Sequence, residues 1–83
     1  LIWRCVPDEA LMDEARALAT RLASAATRGL ALTKQAIDAS YANTLQEQLA
    51  LEASLMRELG ASCDYREGVA AFLEKRAPNF QGK

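Results

Sequence analysis

The sequence predicts an all-α fold of four helices, preceded by a short strand-like segment. Three observations carry this. Apolar residues recur at helical spacing in four separate stretches. Alanine is abundant while aromatics make up only 6% of the chain, which favours closely packed helices over a β-sandwich. Punctuating residues fall between the stretches: Pro7-Asp8, Thr27-Arg28-Gly29, Asn43-Thr44, Gly60 and Pro78.

Taken in order, residues 1–6 form a short, largely apolar stretch that includes Trp3 and the β-branched Ile2 and Val6. They suit a strand, but a strand needs a partner and none is visible in the rest of the chain. The first helix is expected over Glu9 to Ala26, with Leu11, Ala15, Leu18 and Leu22 on one face and Asp8 as N-cap. After a break at Thr27-Arg28-Gly29, a second helix is expected over Leu30 to Ala42. Leu30, Ile37 and Tyr41 share a face, and Lys34 and Asp38 stand at i,i+4 as a candidate ion pair.

Thr44 and Glu47 have the spacing of a capping box, so a third helix starts there and runs to Leu59. Its stripe is Leu45, Leu49, Leu55, Met56 and Leu59, and Gly60 is expected to end it in the left-handed conformation. For the fourth helix, expected over Tyr65 to Arg76, Asp64 with Glu67 and Ser62 are competing caps. Tyr65, Val69, Phe72 and Leu73 form its apolar face, and Pro78 stops it.

Composition narrows function. Ten basic residues balance eleven acidic ones, for a net charge of −1, so no nucleic-acid partner is expected. No apolar run is long enough for a membrane helix, no membrane association is expected, and no signal peptide is visible. With no histidine and two distant cysteines, Cys5 and Cys63, neither a metal site nor a disulfide is expected; the thiols read as free, in a cytoplasmic protein. The start at Leu1, inside a strand-like stretch, is what a piece of a longer protein would give.

The chain holds no Ser-His-Asp or Cys-His arrangement and no glycine-rich phosphate loop. Glu47, Glu52 and Glu58 read as solvated helix surface. From spacing alone, Phe72 and Lys75 allow two readings. The ring is core and the lysine complements the helix dipole, or the pair holds a nucleotide, ring against base and ammonium near phosphate.

The stretch from Asp64 to Phe80 resembles the C-terminal signature of the enoyl-CoA hydratase/isomerase (crotonase) superfamily, loosely D-x-x-E-G-x-x-A-F-x-E-K-R-x-P-x-F. The segment Gly29-Leu30-Ala31-Leu32-Thr33-Lys34-Gln35-Ala36-Ile37 resembles the preceding family helix. Asn43-Thr44-Leu45, Gln48-Leu49 and Leu51-Glu52 resemble more narrowly the ring-1,2-epoxyphenylacetyl-CoA isomerases of phenylacetate degradation.

The resemblance implies that residues 1–7 are the end of a catalytic-core strand and residues 8–83 a C-terminal helical oligomerisation domain. It implies an acyl-CoA thioester as substrate, no permanently bound cofactor, and a homo-oligomer, trimer or hexamer. It places the catalytic groups outside this chain, so no catalytic residue is assigned. It matches Phe72 and Lys75 to the residues that contact coenzyme A in a neighbouring subunit. A free-standing helical interaction module without chemistry is the alternative.

Overall fold

The structure is a computed structural model, and it describes residues 2–83. The described residues form a 3-10 turn at Asp8–Ala10 and four α-helices: α1 Leu11–Ala23, α2 Thr27–Ser40, α3 Leu45–Gly60 and α4 Cys63–Glu74. The fold class is the one expected. Residues 2–7 form no strand, and Leu1 lies outside the described residues. None of the helices is long and apolar enough to cross a membrane.

The expected first helix is divided and shortened. Pro7, not Asp8, occupies the N-cap position of the 3-10 turn, and its carbonyl accepts from Ala10 N at 2.9 Å. At the other end the chain leaves the helix at Ser24 to Ala26, three residues before the expected break. The Ser24 hydroxyl donates to the Arg21 carbonyl at 3.1 Å, a local bond that competes with helix continuation. Thr27, Arg28 and Gly29 instead form the first turn of α2, with Leu30 N donating to Ala26 O at 3.1 Å. A single glycine costs a helix only about 1 kcal/mol, so Gly29 does not break it. Lys34 and Asp38 form no ion pair.

The capping box at α3 forms as expected. Thr44 Oγ1 accepts from Glu47 N at 3.3 Å, and Thr44 N donates to Glu47 Oε2 at 2.8 Å. The backbone and hydroxyl hydrogen bonds from Thr44 lower the pKa of Glu47. Gly60 departs from expectation: it stays helical, and Ala61 follows in right-handed geometry. The turn closes instead through Ala61 N to Glu58 O and Ser62 N to Leu59 O, at 3.3 and 2.9 Å.

Ser62 wins the competition to cap α4, its hydroxyl accepting from Tyr65 N at 3.0 Å. The helix ends at Glu74 rather than Arg76. Lys75 turns left-handed, with φ 54° and ψ 40°, and Arg76 N reaches back to Ala71 O at 3.0 Å. This is a Schellman-type stop made with a lysine where glycine is usual, at a conformational cost of about 1–2 kcal/mol.

Helices α2 and α3 pack antiparallel. Gln48 ties them, donating to the Ala36 carbonyl at 3.0 Å while accepting from Asn43 at 3.0 Å. Near the far end of the pair Arg28 meets Glu58 at 2.6 Å. Helix α4 packs on α3, whereas α1 contacts mainly the 3-10 turn before it. Among the described residues only Leu55 and Ala71 of the apolar ones are buried. The molecule is a layer of 45 × 39 × 18 Å. Its radius of gyration is 16.1 Å. A compact chain of this length would have about 12 Å.

After α4 the tail reverses and runs back along the helix. Asn79 N donates to Glu67 Oε1 at 2.8 Å, then Gln81 N and Gly82 N donate to the two Asp64 oxygens at 2.7 and 2.8 Å. Asp64 N completes the pairing by donating to Lys83 O at 2.9 Å. The Phe80 ring lies over Gly68, its Cε1 3.6 Å from where a Cβ would stand.

Two outcomes are expected. Apolar stripes exposed on this scale mark interfaces, so the isolated chain self-associates; static light scattering at high concentration should give a mass above the monomer. Gly82 has φ +74°, and a Cβ there would lie 2.5 Å from Thr27 Oγ1. Gly82→Ala should therefore destabilise the chain by about 1–2 kcal/mol or more in urea unfolding, with loss of amide protection at residues 81 and 82.

Candidate functional site

The Asp64–Phe80 segment divides into two sets of side chains. One set holds the tail. Asp64, only 6% exposed, accepts from tail amides, and Arg76 grips Glu67 with paired bonds, Nη1 to Oε1 at 2.6 Å and Nη2 to Oε2 at 3.0 Å. Arg76 Nε also bonds Glu74. Ala71 is fully covered, and Gly68 accommodates Phe80.

These bonds set the charge states. The Arg76 guanidinium, then the Asn79 amide, hold Glu67 down at about 2, far below its ordinary value of 4.5. Glu67 and then Glu74 raise Arg76 in return. Glu67 and Arg76 stay charged through the neutral range, and Arg76 bonds both carboxylates at once.

The second set points outward. Phe72 is 82% exposed, so the reading of its ring as core does not hold within this chain. It borders an apolar groove between α4 and the start of α2, floored by Leu59, Val69 and Phe80 and flanked by Gly29 and Tyr65. Lys75 is exposed, makes no ion pair among the described residues, and does not line the groove. The structure thus brings Phe72 to the groove and leaves Lys75 beyond it, at the helix stop. Because the helix ends at Glu74, the shared face expected of residues three apart is replaced by the left-handed turn.

The acidic residues singled out on helix surfaces have local work. Glu47 caps α3, Glu52 accepts from Gln48 at 2.9 Å, and Glu58 pairs with Arg28. Cys5 and Cys63 are free and exposed. Among the described residues no cluster of three or more His, Cys, Asp or Glu side chains could hold a metal. The clamp made by Asp64, Glu67 and Arg76 was not identified from sequence as a unit, although its members all lie in the signature stretch.

The profile of the enoyl-CoA hydratase/isomerase family matches residues 1–83. The chain belongs to the enoyl-CoA hydratase/isomerase family. It is 54% identical over its whole length to a 1,2-epoxyphenylacetyl-CoA isomerase of Escherichia coli, covering 32% of that protein. It is 51% identical, again over its whole length, to a probable enoyl-CoA hydratase of Rhodobacter capsulatus, covering 32% of it. The chain thus spans about a third of the length of the curated relatives it matches.

Solved structures agree. A probable enoyl-CoA hydratase/isomerase from Mycobacterium abscessus superposes with a TM-score of 0.86 at 35% identity, over 99% of this chain and 32% of that one. An enoyl-CoA hydratase from Geobacillus kaustophilus gives 0.87 at 35% identity, over 93% of this chain and 29% of that one. The four-helix arrangement is therefore a recurring part of larger members of the family.

The depressed Glu67 pKa has a consequence with a defined sign. A group whose folded pKa lies below its unfolded value stabilises fully above the unfolded value, 4.5, and loses that contribution as pH falls through about 2. Chain stability should therefore drop between pH 5 and pH 2. In Glu67→Gln the drop should be smaller. Urea unfolding at several pH values, with amide exchange at Asn79, measures both.

Proposed function

We propose that this chain is the C-terminal portion of an enzyme acting on an acyl-CoA thioester, an isomerase of the ring-1,2-epoxyphenylacetyl-CoA type. In the assembled enzyme this portion packs against neighbouring subunits of a homo-oligomer, a trimer or a hexamer, and edges a neighbour's coenzyme A site with Phe72 and Lys75. The narrower assignment is supported by the 54% identity to the Escherichia coli isomerase.

The observation that carries the reading is an apolar ring and a cation left outside the folded layer at one helix end. Phe72 is 82% exposed and Lys75 has no anionic partner among the described residues, within a chain whose family acts on CoA thioesters. An exposed aromatic face is suited to stacking on a purine, worth about 1–3 kcal/mol where bases stack on aromatics. An ammonium near a phosphate contributes about 1–4 kcal/mol of gross attraction near a protein surface, before desolvation. Both contacts bind; neither performs the reaction. Enolisation of a thioester concentrates negative charge on one oxygen, and fixed hydrogen-bond donors stabilise it there. Those donors belong to the remainder of the enzyme in this proposal.

Lys75→Ala in the intact enzyme should weaken acyl-CoA binding by about three- to tenfold at low ionic strength and leave the circular dichroism spectrum unchanged. Titration calorimetry reads the affinity. An unchanged affinity at low salt would remove the ligand role from Lys75.

A further inference from the structure

Lys75 is the one non-glycine residue with positive φ among the described residues. Strained backbone of this kind persists where its surroundings enforce it, and it is concentrated at functional sites. Here the enforcing group is the next residue. Arg76 N is bonded to Ala71 O at 3.0 Å, and the Arg76 side chain is fixed on Glu67 by two bonds and on Glu74 by a third. With Arg76 pinned on both main chain and side chain, the link between α4 and the tail must pass through the left-handed turn at Lys75.

The same bonds settle the local charge. Glu74 precedes Lys75 directly, and Glu67 lies about two helical turns further back along α4 with Asp64 behind it. Asp64 is occupied by tail amides, and Arg76 takes both glutamates. Among the described residues Lys75 is left without a carboxylate partner. Without Arg76, Glu67 and Glu74 would be released to compete for its ammonium and to repel an approaching phosphate.

We propose that Arg76, anchored by Glu67, is the positioning residue for Lys75: it fixes the left-handed turn that presents the ammonium and keeps neighbouring carboxylates from neutralising it. This rests on the reading of Lys75 as a contact for the phosphates of coenzyme A. Arg76 itself touches no ligand in this scheme.

The test compares two ligands in the intact enzyme by calorimetry: an acyl-CoA, and the matching acyl-pantetheine thioester, which lacks the nucleotide phosphates. Arg76→Gln should weaken acyl-CoA binding by about two- to fivefold, the range of an exposed ion-pair contribution, and leave acyl-pantetheine binding unchanged. The double variant Lys75→Ala/Arg76→Gln should bind acyl-CoA no more weakly than Lys75→Ala alone, because both changes remove one contact.

Equal weakening of both ligands would make Arg76 a general structural residue and overturn the proposal. So would additive effects in the double variant. Normal acyl-CoA affinity in Arg76→Gln, with Lys75→Ala weakened, would overturn the positioning role alone. Normal affinity in Lys75→Ala would overturn the ligand reading beneath it. If Arg76→Gln fails to fold, Arg76→Lys keeps a cation but loses the forked geometry, and the ratio of its effects on the two ligands decides the question in the same way.

Discussion

The return of the tail along α4 depends on carboxylates that accept backbone amides. Asp64 takes Gln81 and Gly82, and Glu67 takes Asn79 together with the Arg76 fork. A hydrogen bond to a charged acceptor stabilises by about 1.5–3 kcal/mol, more than a neutral one, and few apolar contacts are available here to substitute for it. The clamp brings the Phe80 ring onto Gly68 and Gly82 against Thr27 at the start of α2, so the tail bridges α4 and α2. Through Phe80 the tail also supplies part of the lining of the groove beside Phe72.

A layer 18 Å thick cannot enclose a core. Helices pack about 8–10 Å apart, so such a layer has both faces open to solvent. The stripes that would normally supply most of the folding energy are consequently split. The portions at the α2–α3 and α3–α4 contacts are partly covered, and the portions at Tyr41, Met56 and Leu73 stand free. What holds the layer together is largely polar and local: the Thr44–Glu47 box, the Gln48 bridge, the Ser62 cap and the tail clamp. Apolar burial supplies little of it, in keeping with a piece that recurs as about a third of larger proteins.

The signature stretch joins two kinds of demand in seventeen consecutive positions, Asp64 to Phe80. Asp64, Glu67, Gly68, Arg76 and Phe80 hold the tail, whereas Phe72 and Lys75 stay outside that network. A motif of this density is recognisable as a string, but the string does not say which letters face inward. A cap and a tail clamp both require an acidic residue near a helix start, so the spacing of Asp64 and Glu67 does not distinguish the two roles. The hydroxyl of Ser62 reached the Tyr65 amide, which freed Asp64 for amides seventeen and eighteen residues away.

Local chemistry alone determined the four helices, the α3 start at Thr44 and the absence of a Ser-His-Asp or Cys-His constellation. Each of these rests on residues within about one turn of each other, where spacing fixes geometry. The family, too, was readable as a resemblance in the order of residues from Asp64 to Phe80. Tertiary structure decided the rest. Helix α4 stopped early because Arg76 was held by Glu67, nine positions back. Phe72 was left outside while Ala71 was covered, a choice between adjacent residues that depends on where α3 and the tail lie. Those outcomes follow from bonds between residues far apart in the chain, and helical periodicity carries no information about which distant partner a side chain will meet.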